Sequence, residues 1–163
     1  MKQIVKSLLL LFFLNGYGQM KVTPEDLKLA VGSWEGSITY LDYQTNNPFT
    51  MAANLIVEPG KDENSLILNN IYPNEPKANN SEKIKVTKNG TLLNKKTVTS
   101  RIQLENGQLS IQTEHEGKDD NKKAMIRCTY VFGGDTLIIR KEVQFDASKH
   151  WIKRSEYNYQ KTK

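Results

Sequence analysis

Along most of this chain, apolar and polar residues alternate with a period of two. Phe49, Met51, Ala53, Leu55 and Val57 interleave with Thr50, Ala52, Asn54 and Glu58. Ala124, Ile126, Cys128, Tyr130 and Phe132 interleave with Met125, Arg127 and Thr129, and Leu137, Ile139 and Val143 continue the pattern. Trp34, Gly36, Ile38 and Tyr40 share one face, as do Trp151, Tyr157 and Tyr159. Successive side chains of a strand point to opposite faces, so the alternation predicts strands with one face on a core. The runs are rich in Val, Ile, Thr and Tyr, which suit a pleated, half-buried surface.

Turn residues separate the runs. Asn89-Gly90, Asn106-Gly107 and Gly133-Gly134-Asp135 tolerate the positive φ that tight hairpins demand. The pattern predicts strands over 33–43, 48–58, 65–72, 82–88, 91–104, 108–115, 123–132, 135–145 and 150–159. A break near Asn94 would raise the count from nine to ten. Two polar stretches read as longer loops: 72–83, with Pro73 and Pro76, and 116–123, EGKDDNKK. One helical turn is expected over Thr23–Val31, with Thr23 as N-cap, Pro24 in the first position, and Glu25 and Asp26 at the positive end. Strands joined in sequence by short hairpins favour a meander, and closing it removes the exposed edges. A two-sheet sandwich would need longer crossovers. The expected fold is therefore all-β: a single antiparallel up-and-down barrel of 8–10 strands with a short N-terminal helical turn.

Composition adds a compartment. Lys2 and Lys6 open the chain, an apolar run LLLLFFL follows at Leu8–Leu14, and small Gly16 and Gly18 come next. That is the order of a secretory signal peptide. The apolar run is far shorter than the roughly 20 residues of a membrane span. Residues 1–18 are expected to be cleaved, leaving 19–163 as one exported domain, periplasmic or extracellular, without a span. Losing Lys2 and Lys6 lowers the formal charge from +5 to +3. The remaining basic residues form neither a stripe nor a nucleic-acid motif, so no nucleic-acid partner is expected. Cys128 is the single cysteine and can form no internal disulfide; it is read as a core residue of its strand. A chain of this length can hold itself together by its core alone.

Catalytic signals are weak. GSWEG places its serine one position early for a nucleophile elbow. There is no His-Glu-x-x-His, no paired-cysteine zinc spacing, and KDDNKK lacks the alternating ligands of a calcium loop. His115 and His150 read as solvated and boundary residues. No metal and no cofactor is expected, and an enzymatic role is not favoured.

A helical turn followed by Gly-x-Trp at the head of the first strand, here Gly32-Ser33-Trp34, resembles the lipocalins and the wider calycin barrels, in their secreted bacterial form. The resemblance implies a structural role for Gly32 and Trp34, with a late arginine packed over the tryptophan. Arg154 in HWIKRSEYNY matches that arginine, with Arg140 second. It also implies an interior that takes a small, partly apolar ligand; Tyr40, Met51 and Tyr130 are the candidate contacts. Some calycin-like barrels hold haem through a histidine, for which His115 or His150 would serve. Two other readings stay open: a module that grips an envelope component or other macromolecule through the 72–83 and 116–123 loops, and a calycin-type isomerase or decarboxylase.

Overall fold

A computed structural model describes residues 20–146 and 148–162. The expected signal segment, 1–18, lies outside the described residues. The alternating runs become ten antiparallel strands: β1 (Gly32–Leu41), β2 (Pro48–Pro59), β3 (Ser65–Ile71), β4 (Asn80–Thr87), β5 (Leu92–Leu93), β6 (Lys96–Gln103), β7 (Leu109–Asp119), β8 (Lys122–Gly133), β9 (Thr136–Phe145) and β10 (Ile152–Lys161). Each pairs with its neighbours in sequence, and β1 pairs with β10, from Trp34 opposite Lys161 to Tyr40 opposite Ser155. The meander is thus a closed barrel.

Turn chemistry sets the strand lengths. Asn94 and Lys95 both have positive φ, 50° and 63°, and split the 91–104 run into β5 and β6. Asp120 and Asn121, at 49° and 59°, make a two-residue hairpin between β7 and β8. Paired left-handed residues match the twist of adjoining strands. The stretch 116–123 is therefore a tight hairpin rather than a long loop, because β7 runs on through Gly117 to Asp119. The 72–83 loop is also shorter than expected, since β4 begins at Asn80; a single 3-10 turn, Pro76–Ala78, crosses what remains.

One end of the barrel is closed by helix α1 (Pro24–Lys28). Thr23 Oγ1 accepts from the Asp26 N–H at 3.3 Å, and Asp26 Oδ2 accepts from the Thr23 N–H at 2.8 Å, a reciprocal cap. Arg101 of β6 donates from both Nε and a terminal nitrogen to the same carboxylate, at 2.8 and 2.6 Å, and straps the helix to the wall. Leu27 and Ala30 then face inward. The Trp34 indole N–H donates to the Ala30 carbonyl at 2.9 Å, so the first strand is pinned under the helix that precedes it. Gly32 has φ +142°, a conformation that favours glycine at the bend between the two.

The core fills this closed half. Trp34, Leu55, Leu109, Ile111 and Thr113 are buried among the inward-facing positions of β1, β2 and β7. A smaller cluster of Ala124, Ile126 and Val143 lies toward the other end. That end is open, ringed by the β1–β2, β3–β4, β7–β8 and β9–β10 connections.

Candidate binding site at the open end of the barrel

The deep half of the barrel holds no ligand-sized space. Leu27, Ile84, Ile111, Tyr130, Phe132 and Leu137 surround an apolar void of about 20 Å³. A space of that size accommodates about one water molecule and offers it no polar partner. Tyr130, expected as a ligand contact, belongs to the wall of this void.

Space opens nearer the mouth. A groove of about 290 Å³ is lined by Ile38 and Tyr40 of β1, Met51 of β2, and Tyr72, Glu75, Ala78 and Asn80 of the β3–β4 crossing and the start of β4. Tyr40 and Met51 meet here because the β1–β2 register sets Ile38 opposite Met51 and Tyr40 opposite Phe49. The Tyr40 and Phe49 rings stand 5.5 Å apart at 52°. The crossing is fixed by asparagines. Asn79 Oδ1 accepts from the Tyr72 N–H at 2.7 Å, and Asn70 Nδ2 donates to Asn80 Oδ1 at 2.9 Å.

Beneath the groove the tyrosines connect. The Tyr72 and Tyr157 hydroxyls lie 2.9 Å apart, and the Tyr157 ring stacks on Tyr159 with centroids 5.7 Å apart. Tyr157 and Tyr159 sit opposite Ile38 and Gly36 in the β1–β10 ladder. A Cβ on Gly36 would fall 1.9 Å from the Asn158 carbonyl oxygen, so glycine permits this close approach of the two backbones. Burial pushes the Tyr157 phenol up, and the Tyr72 hydrogen bond pushes it the same way. Burial raises Tyr130 and Tyr159 as well, and Glu82, two residues beyond Asn80 on the same face of β4, adds to the effect on all three.

The opposite side of the mouth is a closed ion cluster. The Asp119 side chain, 1% exposed, accepts from Arg154 Nε at 2.7 Å, Lys141 Nζ at 2.9 Å and the Tyr43 hydroxyl at 2.8 Å. Burial alone would raise its pKa; the hydrogen bonds from Lys141, Tyr43 and Arg154 outweigh burial and hold the carboxyl below its ordinary value. Arg154 reaches this cluster through a register shift between Lys153 and Ser155, which leaves it outside the β9 ladder and turns it inward. Its guanidinium lies 4.9 Å from the Tyr43 ring. The expected packing of Arg154 over Trp34 is not formed: the cation over Trp34 is Lys161, at 5.3 Å. The two cations are seven positions apart along β10, roughly 20 Å of strand, so they serve opposite ends of the barrel.

His115 and Cys128 face inward between these regions. Burial lowers the His115 pKa, and Lys96 and Lys141 lower it further. Among the described residues, its buried Nδ1 has no hydrogen-bond partner. Burial raises the Cys128 thiol. In the β7–β8 ladder Cys128 lies opposite Thr113 and His115 opposite Ile126. His150 is exposed in the β9–β10 connection, and Trp151 lies outside the barrel, with Arg127 stacked 3.8 Å from its ring centroid. A wider cleft of about 450 Å³ over the β7–β8 hairpin is lined by Glu116, Lys118, Lys123 and Asp146 among others, a surface of mixed charge. Among the described residues, no His, Cys, Asp and Glu side chains gather in a group able to hold a metal, and no helix is long and apolar enough to cross a membrane.

Sequence reasoning missed Asp119, Lys141 and Glu75. The first two were within reach: carrying the alternation of Leu109, Ile111 and Thr113 across Gly117 puts Asp119 on the inner face, and Lys141 falls between Ile139 and Val143. Glu75 lies in irregular backbone, where no periodicity speaks for its direction.

No protein-family model matches the sequence, and no curated protein matches it. Similar folds occur among solved structures. The crystal structure of Rv2717c from M. tuberculosis is similar with a TM-score of 0.50 at 11% identity, over 85% of this chain and 96% of that one. A secretary abundant heat soluble (SAHS) protein from Ramazzottius varieornatus has a TM-score of 0.40 at 14% identity, over 82% and 96%. A protein of unknown function from the DUF3598 family of Nostoc punctiforme has a TM-score of 0.40 at 8% identity, over 87% of this chain and 50% of that one. At these identities the first similarity bears on the barrel fold alone.

Proposed function

We propose that this chain is an exported, calycin-like binding barrel that takes a small, partly apolar ligand at its open end and performs no chemistry on it. The observation that carries the reading is the groove of about 290 Å³ in which Ile38, Tyr40, Met51 and Tyr72 converge with the polar groups of Glu75 and Asn80. Apolar and aromatic walls with a few placed polar groups are the usual composition of a small-molecule site, and this volume is at the small end of such sites. The filled deep half moves the ligand from the barrel centre to its mouth. Export is supported by the Lys2, Lys6 and Leu8–Leu14 leader pattern. The calycin likeness is supported by the capped turn, Gly32, and the buried Trp34 plug, with Lys161 in the place the resemblance assigns to an arginine. The macromolecule-binding alternative loses one of its two loops, since 119–122 is a tight hairpin.

The test is a fluorescence titration of the purified protein with N-phenyl-1-naphthylamine, a neutral probe that brightens on leaving water. Saturable one-site binding, weakened at least tenfold by Tyr40→Ala and by Met51→Lys, is the expected result. No saturable binding, or binding indifferent to both substitutions, overturns the proposal.

A further inference from the structure

We infer that the ligand of the mouth groove is an organic cation, an ammonium group carried on a small apolar body; the inference rests on the binding-barrel reading above. The chain is net basic, with 23 Lys and Arg against 18 Asp and Glu. Yet the groove wall contains no lysine, arginine or histidine, and its one ionised side chain is the carboxylate of Glu75. Glu82 follows Asn80 on the same face of β4, close enough to bear on the buried phenols of Tyr130, Tyr157 and Tyr159.

Neither carboxylate is in an ion pair or accepts a side-chain hydrogen bond among the described residues. The contrast with the far side of the mouth is direct. There Asp119 is saturated by Lys141, Arg154 and Tyr43, while on the outer face of the wall Glu156 is paired with Arg140 and Lys153. Lys141 and Arg154 are committed to Asp119, and the groove wall keeps the Glu75 carboxylate beside the rings of Tyr40 and Tyr72.

That combination has a defined chemistry. Aromatic faces attract a cation through their quadrupole, and quaternary ammonium groups are bound in this way by rings with a nearby carboxylate. An anionic ligand would meet Glu75 with no compensating cation in the wall. A neutral ligand would leave the carboxylate unused. Tyr72, whose hydroxyl pairs with that of Tyr157, lines the same space and carries a phenol oxygen able to accept from a primary ammonium.

The experiment compares three probes of similar shape by amide chemical-shift titration of the purified protein: benzyltrimethylammonium, its carbon isostere neopentylbenzene, and phenylacetate. The expected order is cation tightest by at least tenfold, neutral isostere next, anion weakest. Glu75→Gln with Glu82→Gln should erase the cation's advantage and leave neopentylbenzene unchanged. Both positions are at exposed sites, so the double variant keeps the fold, which its amide spectrum verifies. If the isostere binds as tightly as the cation in the groove, the inference fails and the binding-barrel reading survives. If none of the probes perturbs the Tyr40 and Tyr72 amides, both fail.

Discussion

The Lys161 ammonium sits 5.3 Å from the centroid of the Trp34 ring, while the indole N–H donates to Ala30 O at 2.9 Å. The last residue of β10 and the helical lid thus hold the same side chain from two sides, and the barrel is closed where its ends meet. Trp34→Ala should cost about 3–5 kcal/mol, the range for a large buried aromatic. Lys161→Ala should cost about 0.5–1 kcal/mol. A double-mutant cycle in urea unfolding should give a coupling between Trp34 and Lys161 and none between Trp34 and Arg154, because residues that share no contact add independently. Coupling to Arg154 instead would reverse the assignment.

Asp119 should behave as the keystone of the other end. Asp119→Ala leaves Lys141 and Arg154 facing each other in a buried place, and breaking such a group from one side typically costs about 3–5 kcal/mol. Arg154→Ala should be milder, since Lys141 and Tyr43 still satisfy the carboxylate. Chemical denaturation at neutral pH separates the two; equal losses would mean that the cluster is not centred on the carboxylate.

Both strapping carboxylates predict acid sensitivity. For Asp26, burial raises the pKa, but the Arg101 fork and the Thr23 N–H outweigh it, and the folded value lies below the ordinary 3.8. Asp119 is depressed likewise. A depressed folded pKa gives stability that is present above 3.8 and is lost as pH falls through the folded value. Unfolding midpoints measured from pH 6 to about pH 2 should therefore fall steeply below the ordinary carboxylate range, and less steeply in Asp26→Asn, which has one titrating strap fewer.

The fold was largely legible because its signals are local. Alternation from Phe49 to Val57 and from Ala124 to Phe132 needs only neighbouring residues, and the turns at Asn89-Gly90 and Asn106-Gly107 announce themselves. Asn94 marks its turn by the same chemistry. What stayed hidden depends on distance. Which cation covers Trp34 is fixed by a register between β1 and β10, strands at opposite ends of the sequence. Whether Arg154 points in or out turns on a single register shift beside it. Tyr40 and Met51 share the groove through one hairpin, and so were readable together; Tyr130 shares their inward face but lies deeper, a depth that alternation does not encode.

The buried phenols predict an alkaline limit. Burial raises Tyr130, Tyr157 and Tyr159 above the ordinary 10.0. A raised folded pKa gives stability that is full below 10.0 and is lost as pH rises toward the folded value. Absorbance of the phenolates should follow the ionisation as pH rises. The buried set should ionise only in one cooperative step with loss of the β-sheet circular dichroism signal. Gradual ionisation of every tyrosine with the sheet intact would place these rings in contact with water.

The filled deep half can be tested by emptying it. Phe132 is 6% exposed and borders the void of about 20 Å³ between Leu27, Ile111 and Leu137. Truncation to Ala removes a ring from a wall in which every other side chain but Tyr130 is aliphatic, so the cavity should enlarge and stay dry. The cost should be about 3–5 kcal/mol, set by how little the strands relax inward. An apolar guest such as benzene should then raise the melting temperature of Phe132→Ala in proportion to its concentration, as ligand linkage requires. The unsubstituted protein should show no such shift at its core. Mouth probes should bind the two proteins equally, because Phe132 does not touch the groove of Tyr40 and Met51. A benzene shift of equal size in both proteins would mean that the native interior already holds a ligand-sized space, and would return the binding site to the barrel centre.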